Sequence, residues 1–310
     1  MDPLTHALVG AVAGKSVHAS NKRFWIMIGL SLFPDIDIVF SFFGSWASAF
    51  QHRGISHSLF GLIAQTFIFA WALKKWDEGP FRKRFLGYGL VIGLHSLCDF
   101  MTIFGVPLLL PFSFQEFSLD WVQAFTFIPI LFMGFGLYWL NRKKGYGWKG
   151  TKYIWFAWVI YLGASLSAKI YAQNIMINEN ILATALPRTV NPFQWRGVET
   201  DTDHKMYRTY IIDLFRRNKS VDRTFSMPKK KFPVTESLSA PLAKNFFETA
   251  RWPVARVNKF PEGWQVEWGT LLFSSKGLVR GKVRVVLSPT GDVVSQERIF
   301  NFWNPEVINE

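Results

Sequence analysis

Acids and histidines set inside apolar runs constrain this chain more than any other feature. The stretch Phe33–Ser58, FPDIDIVFSFFGSWASAFQHRGISHS, carries Asp35 and Asp37 one residue apart, then His52, Arg53 and His57. His95 and Asp99 follow in GLHSLCDF, and His6 lies in the opening run LTHALVG. A charged side chain in an apolar segment is costly unless it is paired, hydrated or metal-bound. These groups therefore point to a metal site built into a membrane domain.

The composition supports a membrane chain. Of 310 residues, 49% are apolar, 17% aromatic and only 18% charged. The net charge of +13 invites a nucleic-acid reading. The basic residues, however, gather in short loops between apolar runs, as in cytoplasmic membrane loops, so no nucleic-acid partner is expected. The single cysteine, Cys98, excludes an internal disulfide and a multi-cysteine metal site. The opening MDPLTHALVG has an acid and no basic region, so it is expected to be retained rather than cleaved as a signal.

Apolar runs at 4–17, 24–43, 58–73, 85–104, 121–140 and 153–171 predict membrane segments, the first short for a span of roughly 20 residues. Basic stretches at 15–23, 74–84 and 141–152 predict cytoplasmic loops. Six crossings would then leave the N-terminus and everything after residue 172 outside, with the acids and histidines in the outer half of the bundle. From about residue 173 no apolar run is long enough to span. Residues 264–286 read as alternating strands with Gly277 and Gly281 at turns, 288–292 as a turn, 205–213 as a strand and 238–250 as a short helix. The expected fold is an α-helical transmembrane bundle of about five to six membrane segments over 1–172. A small α+β, mainly antiparallel, soluble domain follows over 173–310, placed on the extracytoplasmic side.

His95 and Asp99 are four residues apart, so a helix turns both to one face. Asp35 and Asp37 would diverge on a regular helix, but Pro34 favours a bent or extended backbone, and in an extended one they would share a side. Two close carboxylates raise each other's pKa, a cost that a divalent ion or Arg53 removes. Gly54 permits a tight turn in QHRGISHS, and Ser56 is placed to cap a helix starting at His57. Arg53, always protonated, suits a phosphate or carboxylate beside a metal rather than the metal itself. The metal-ligand candidates are His6, Asp35, Asp37, His52, His57, His95 and Asp99, enough for one or two ions. Histidine and carboxylate without thiolate fit zinc, manganese or iron. The catalytic candidates are Arg53, Asp37 and Asp99. Cys98 is expected in core packing, and His18 and His204 at the surface. Trp195 and Arg196, in NPFQWRG, could reach back to a substrate or simply form a domain edge.

Four ordered motifs resemble those of bacterial membrane-bound proteins predicted to be metal-dependent hydrolases. They are Thr5-His6 with Gly10, Pro34-Asp35-Ile36-Asp37, His52-Arg53-Gly54-Ile55-Ser56-His57-Ser58, and His95-Ser96-Leu97-Cys98-Asp99. Threonine is commoner in that family where this chain has Ser56, and serine keeps the hydroxyl. The NPFQW stretch at 191–195 resembles the start of an outer domain in longer members. The resemblance implies a multi-pass protein of the bacterial inner membrane with a divalent metal, most simply zinc, and a distant likeness to zinc-dependent phospholipases. It implies hydrolysis of an ester or phosphoester in a membrane lipid or lipid-linked substrate. A metal-stabilised structural or regulatory membrane protein, or a metal or proton transporter, would use the same residue types.

Overall fold

Asp2 starts the first helix. Its carboxylate accepts from the Thr5 amide at 2.9 Å and from the Thr5 hydroxyl at 2.6 Å, and Pro3 occupies the first turn, where no amide is missed. The computed structural model describes residues 1–17, 20–42, 53–113, 115–123, 127–143, 147–188, 191–229, 231–275, 278–299 and 302–303. His52 and Gly277 lie outside the described residues. Two compact units emerge: Met1–Lys169 with Pro187–Pro192, and Ile170–Leu186 with Phe193–Glu310.

The first unit is helical. It contains α1 (Pro3–Ser16), α2 (Asn21–Leu32), a 3-10 segment (Phe33–Phe42), a 3-10 turn (Ile55–His57), α3 (Leu59–Ala72), α4 (Phe81–Phe100), α5 (Phe127–Arg142) and α6 (Trp148–Ile177), the last running on into the second unit. Gly10 lets α1 lie directly on α2. A Cβ there would fall 2.7 Å from the Ser31 Cβ and 2.9 Å from the Met27 carbonyl oxygen. Val9, Val12, Cys98, Met133 and Trp158 form one buried cluster of this unit, and Met27, Tyr88, Val91 and Ile92 anchor another. Cys98 is thus a core residue.

The expected bundle of five to six membrane segments is not what forms. Among the described residues one helix, Trp148–Ile177, is long and apolar enough to cross a membrane. The apolar runs were read as single helices, but the backbone divides them. The second run changes from α2 into a 3-10 segment at Phe33, at the proline that disrupts the helical ladder. Helices α1, α2, α3 and α5 hold 14, 12, 14 and 16 residues, short of the roughly 20 that span a bilayer. Helix α4 has 20 residues but includes Arg82, Lys83, Arg84 and Asp99. The architecture is a mixed helical unit followed by a unit with two sheets.

In the second unit, β1 (Ala183–Pro187), β2 (Gln194–Asp201), β3 (Met206–Asp213) and β4 (Asn218–Ser226) form a sheet in sequence order. Strands β2, β3 and β4 pair antiparallel, with Trp195 opposite Ile212. The other sheet follows the order β5 (Pro253–Phe260), β6 (Gly263–Ser275), β7 (Leu278–Leu287) and β8 (Val293–Arg298), and β9 (Phe302–Trp303) also pairs with β7. Short helices α7 (Val234–Ser237) and α8 (Pro241–Thr249) supply Val234, Leu242 and Ala243 to a core with Trp268, Val283 and Val285. Gly281 lies inside β7 opposite Gly269, not at a turn as the sequence suggested. The turn falls at 288–292, where the Gly291 amide donates to the Ser288 carbonyl at 3.0 Å. Trp195 is buried, and Arg196 donates to the Leu272 carbonyl at 2.7 Å.

Candidate metal centre

Three stretches of backbone bring the site together. Helix α4 carries His95 and Asp99 on one face, the 3-10 segment after α2 carries Asp35, and the turn before α3 carries His57. That turn lies tight against α3. Ser58, rather than Ser56, caps α3 by accepting from the Gly61 amide at 3.0 Å. A Cβ on Gly61 would sit 1.8 Å from the Ile55 carbonyl oxygen.

Asp35, His57, His95 and Asp99 each offer a ligand atom, all within 4.8 Å of one another. The Nε2 atoms of His57 and His95 are 3.0 Å apart. Asp99 Oδ2 lies 3.2 Å from His57 Nε2 and 3.6 Å from His95 Nε2. Asp35 Oδ1 lies 3.6 Å and 3.5 Å from the same two nitrogens. Ligands about 2.0–2.2 Å from a tetrahedral ion stand roughly 3.3–3.6 Å from each other. The donor set therefore has the chemistry and the spacing for one divalent cation.

The atoms behind these donors fix their direction. His95 Nδ1 donates to the Ser31 carbonyl at 2.7 Å, which leaves the Nε2 lone pair facing inward. His57 Nδ1 lies 2.9 Å from the Ser56 hydroxyl and 3.3 Å from Asp37 Oδ2. Asp37 also accepts from the Ser56 hydroxyl and from the Arg53 amide, the latter at 3.0 Å. A carboxylate behind a ligating imidazole selects its tautomer and raises its basicity. Asp35 and Asp37 thus diverge, one toward the donor cluster and one toward the rear of His57. Of the bent or extended backbones suggested by Pro34, the bent form occurs, as a 3-10 segment over Phe33–Phe42.

His6 adds a third imidazole. Its ring stacks on His95 with centroids 3.8 Å apart, and its Nε2 lies 3.5 Å from Asp99 Oδ1. Neither of its ring nitrogens has a hydrogen-bond partner among the described residues, although the side chain is fully buried. Asp99 Oδ2, facing the two other imidazoles, is equally without one. Buried polar atoms in this state cost about 1–3 kcal/mol each, a cost that a cation would remove. Asp99 Oδ1 is engaged by the Met1 amino group and, at 3.0 Å, by Arg53 Nη2.

Arg53 stands at the edge. Its backbone is left-handed, with φ 67°, so the turn permitted by Gly54 in the sequence is made by its neighbour. Its guanidinium packs over the Phe104 ring at 4.7 Å and approaches the Thr102 hydroxyl at 3.4 Å. Burial draws its pKa down to about 10, so it remains charged at neutral pH. Of the sequence candidates, the described residues bring together His6, Asp35, His57, His95 and Asp99, with Asp37 and Arg53 in contact with them. His52 lies outside the described residues. Ser31 was not found from sequence. It binds the site through a main-chain carbonyl, which every residue has, and its hydroxyl donates to the His6 carbonyl.

A model of the family described as YdjM inner membrane protein matches residues 1–176. The inner membrane protein YdjM of Escherichia coli (strain K12) is 41% identical over 90 residues, covering 26% of this chain and 44% of that protein. The protein of the same name in Shigella flexneri matches to the same extent. The chain therefore spans less than half the length of these curated relatives. No solved structure matches.

Proposed function

The chain belongs to the YdjM inner membrane protein family, and on that premise we propose that it is a membrane-bound, metal-dependent hydrolase of an ester or phosphoester. The observation that carries this reading is the donor spacing of 3.0–3.6 Å among Asp35, His57, His95 and Asp99. Zinc suits such a nitrogen and oxygen set, and manganese or iron would be accepted by it. A divalent cation held there supplies Lewis acidity toward a scissile carbonyl or phosphoryl group and lowers the pKa of water.

The protein's own groups divide the remaining work. His57, His95 and Asp99 are fully buried, and Asp35 is 17% exposed. Catalytic zinc sites keep three protein ligands and one open position. Asp35 therefore stands at the accessible edge, placed to accept a proton. Asp37 holds His57 in its ligating tautomer. Arg53, charged and 12% exposed, is placed to offset negative charge developing on substrate oxygen.

A lipid or lipid-linked substrate suits the surroundings. Phe60 and Phe112, both exposed, meet edge to face at 5.2 Å, and the Leu59 amide donates to the Leu108 carbonyl at 3.0 Å. These apolar residues begin two positions after His57. Basic residues Lys143, Lys149 and Lys152 flank the start of α6, the one helix among the described residues that is long and apolar enough to span; this charge bias supports a reading with the start of α6 cytoplasmic and the chain beyond Ile177 extracytoplasmic.

A set of four donors, three of them fully buried, is also the form of a structural zinc site, so turnover is the deciding measurement. Purified protein would be analysed for metal content and assayed against ester- and phosphodiester-bearing lipids, as isolated, after chelation and after metal return. Stoichiometric metal and turnover lost in Asp35→Asn are expected. Bound metal with no hydrolysis would identify the structural role, and absence of metal would end both readings.

A further inference from the structure

We propose that the start of α6 is a binding site for an anionic glycerophospholipid, separate from the metal centre. Three basic segments distant in sequence are tied into one end of the helical unit. The Gly147 amide donates to the Lys15 carbonyl at 2.8 Å, and the Ser16 hydroxyl meets that of Thr151 at 2.7 Å. Arg23 donates to the Lys83 carbonyl at 3.1 Å and pairs with Asp77 at 3.4 Å. Lys74, Lys75, Lys83, Lys149 and Lys152 are exposed there. Asp77 is buried and engaged by Arg23 and by the Tyr88 hydroxyl, so it does not neutralise this surface.

Beside these charges lies a shallow groove of about 490 Å³, lined by Trp148, Lys152, Tyr153, Trp155, Phe156 and Val159. Its chemistry is graded along the helix. The Lys152 ammonium stands over the Tyr153 ring at 4.9 Å, with Lys149 one turn earlier. Phe156 and Val159, each 64% exposed, continue away from the charges. The seven residues from Lys152 to Val159 rise about 10 Å. A phosphate at the two lysines therefore leaves an acyl chain against phenylalanine and valine, with the indole of Trp148 and the phenol ring of Tyr153 at the polar–apolar boundary. The groove lies on the one helix among the described residues that is long and apolar enough to cross a bilayer. Asp99 stands fifteen residues from Arg84 along α4, about 22 Å, so the basic end and the metal centre are apart.

The test uses the full chain in non-ionic detergent, with lipid retention followed by native mass spectrometry. The probes are phosphatidylglycerol, phosphatidylcholine of the same acyl chains, and inorganic phosphate. Preference for phosphatidylglycerol over phosphatidylcholine is expected. That preference should fall about thirtyfold in Lys149→Gln/Lys152→Gln, from roughly fivefold per lysine beside an anionic lipid. Replacing exposed charges of the second unit, Arg216→Gln/Arg256→Gln, should leave it within about twofold. Equal retention of the two lipids, an unchanged Lys149→Gln/Lys152→Gln protein, or complete displacement of phosphatidylglycerol by millimolar phosphate would each overturn the proposal. Because no hydrolysis is read, the result is independent of the metal-centre function.

Discussion

The imidazole of His6 lies flat on that of His95, with ring centroids 3.8 Å apart and planes 23° from parallel. The contact joins the first turn of α1 to the C-terminal half of α4, and it leaves both His6 nitrogens without hydrogen-bond partners among the described residues. A stacked hydrocarbon ring would satisfy the packing equally well, which separates packing from ligation.

His6→Phe is accordingly expected to keep or raise the thermal stability of the metal-free protein, by up to about 1–3 kcal/mol from the loss of an unsatisfied buried group. Metal affinity should fall at least about tenfold. Calorimetric titration of wild type and variant with zinc checks both halves, and undiminished affinity would remove His6 from the metal's surroundings.

Asp37 and Asp35 should behave differently despite sitting two residues apart. Asp37→Asn leaves the donor cluster intact but weakens the orientation of His57, so an affinity loss of about 10–100-fold at unchanged stoichiometry is expected. Asp35→Asn removes the proton acceptor at the accessible edge, so it should abolish turnover while His57, His95 and Asp99 keep the metal. Metal content and rates measured in parallel distinguish the two roles, and identical behaviour would contradict the division.

Gly61→Ala tests the turn rather than the ligands. With a Cβ 1.8 Å from the Ile55 carbonyl oxygen, the backbone carrying His57 must shift. A destabilisation of about 1–3 kcal/mol is expected from such overpacking, together with loss of most metal-induced stabilisation. Thermal unfolding with and without zinc reads both.

Chelation should lower the melting temperature, and added zinc should restore it. An ion at a hundredfold excess over its Kd contributes about 2.7 kcal/mol. Because imidazoles bind metal only when neutral, acidification must weaken this stabilisation. A metal-dependent increment that is constant from pH 8 to pH 5 would argue against histidine ligation.

The ingredients of the site were legible in the sequence, whereas their roles were not. The four-residue spacing of His95 and Asp99 needs only a helix to become a shared face, and α4 supplies it. Asp35 and Asp37 depended on a backbone that pattern alone does not define. The 3-10 geometry after Pro34 sends them to opposite sides of His57. The apolar runs were visible but their continuity was misjudged, because hydrophobicity marks burial or lipid contact and not the length of an unbroken helix. Ser31 left no trace, since it acts on His95 through its carbonyl. In the second unit, alternating residues located β6 and β7, but Gly281, which reads as a turn from sequence, is paired within a strand.

The left-handed backbone at Arg53 makes one residue answer to two acids. Its amide is committed to Asp37 and its guanidinium to Asp99. Glycine there would ease the backbone yet abandon Asp99, and lysine would preserve charge yet surrender the planar fork over Phe104. Strain at this position is thus the means by which the support of one histidine and the electrostatic balance of a ligand carboxylate are set together.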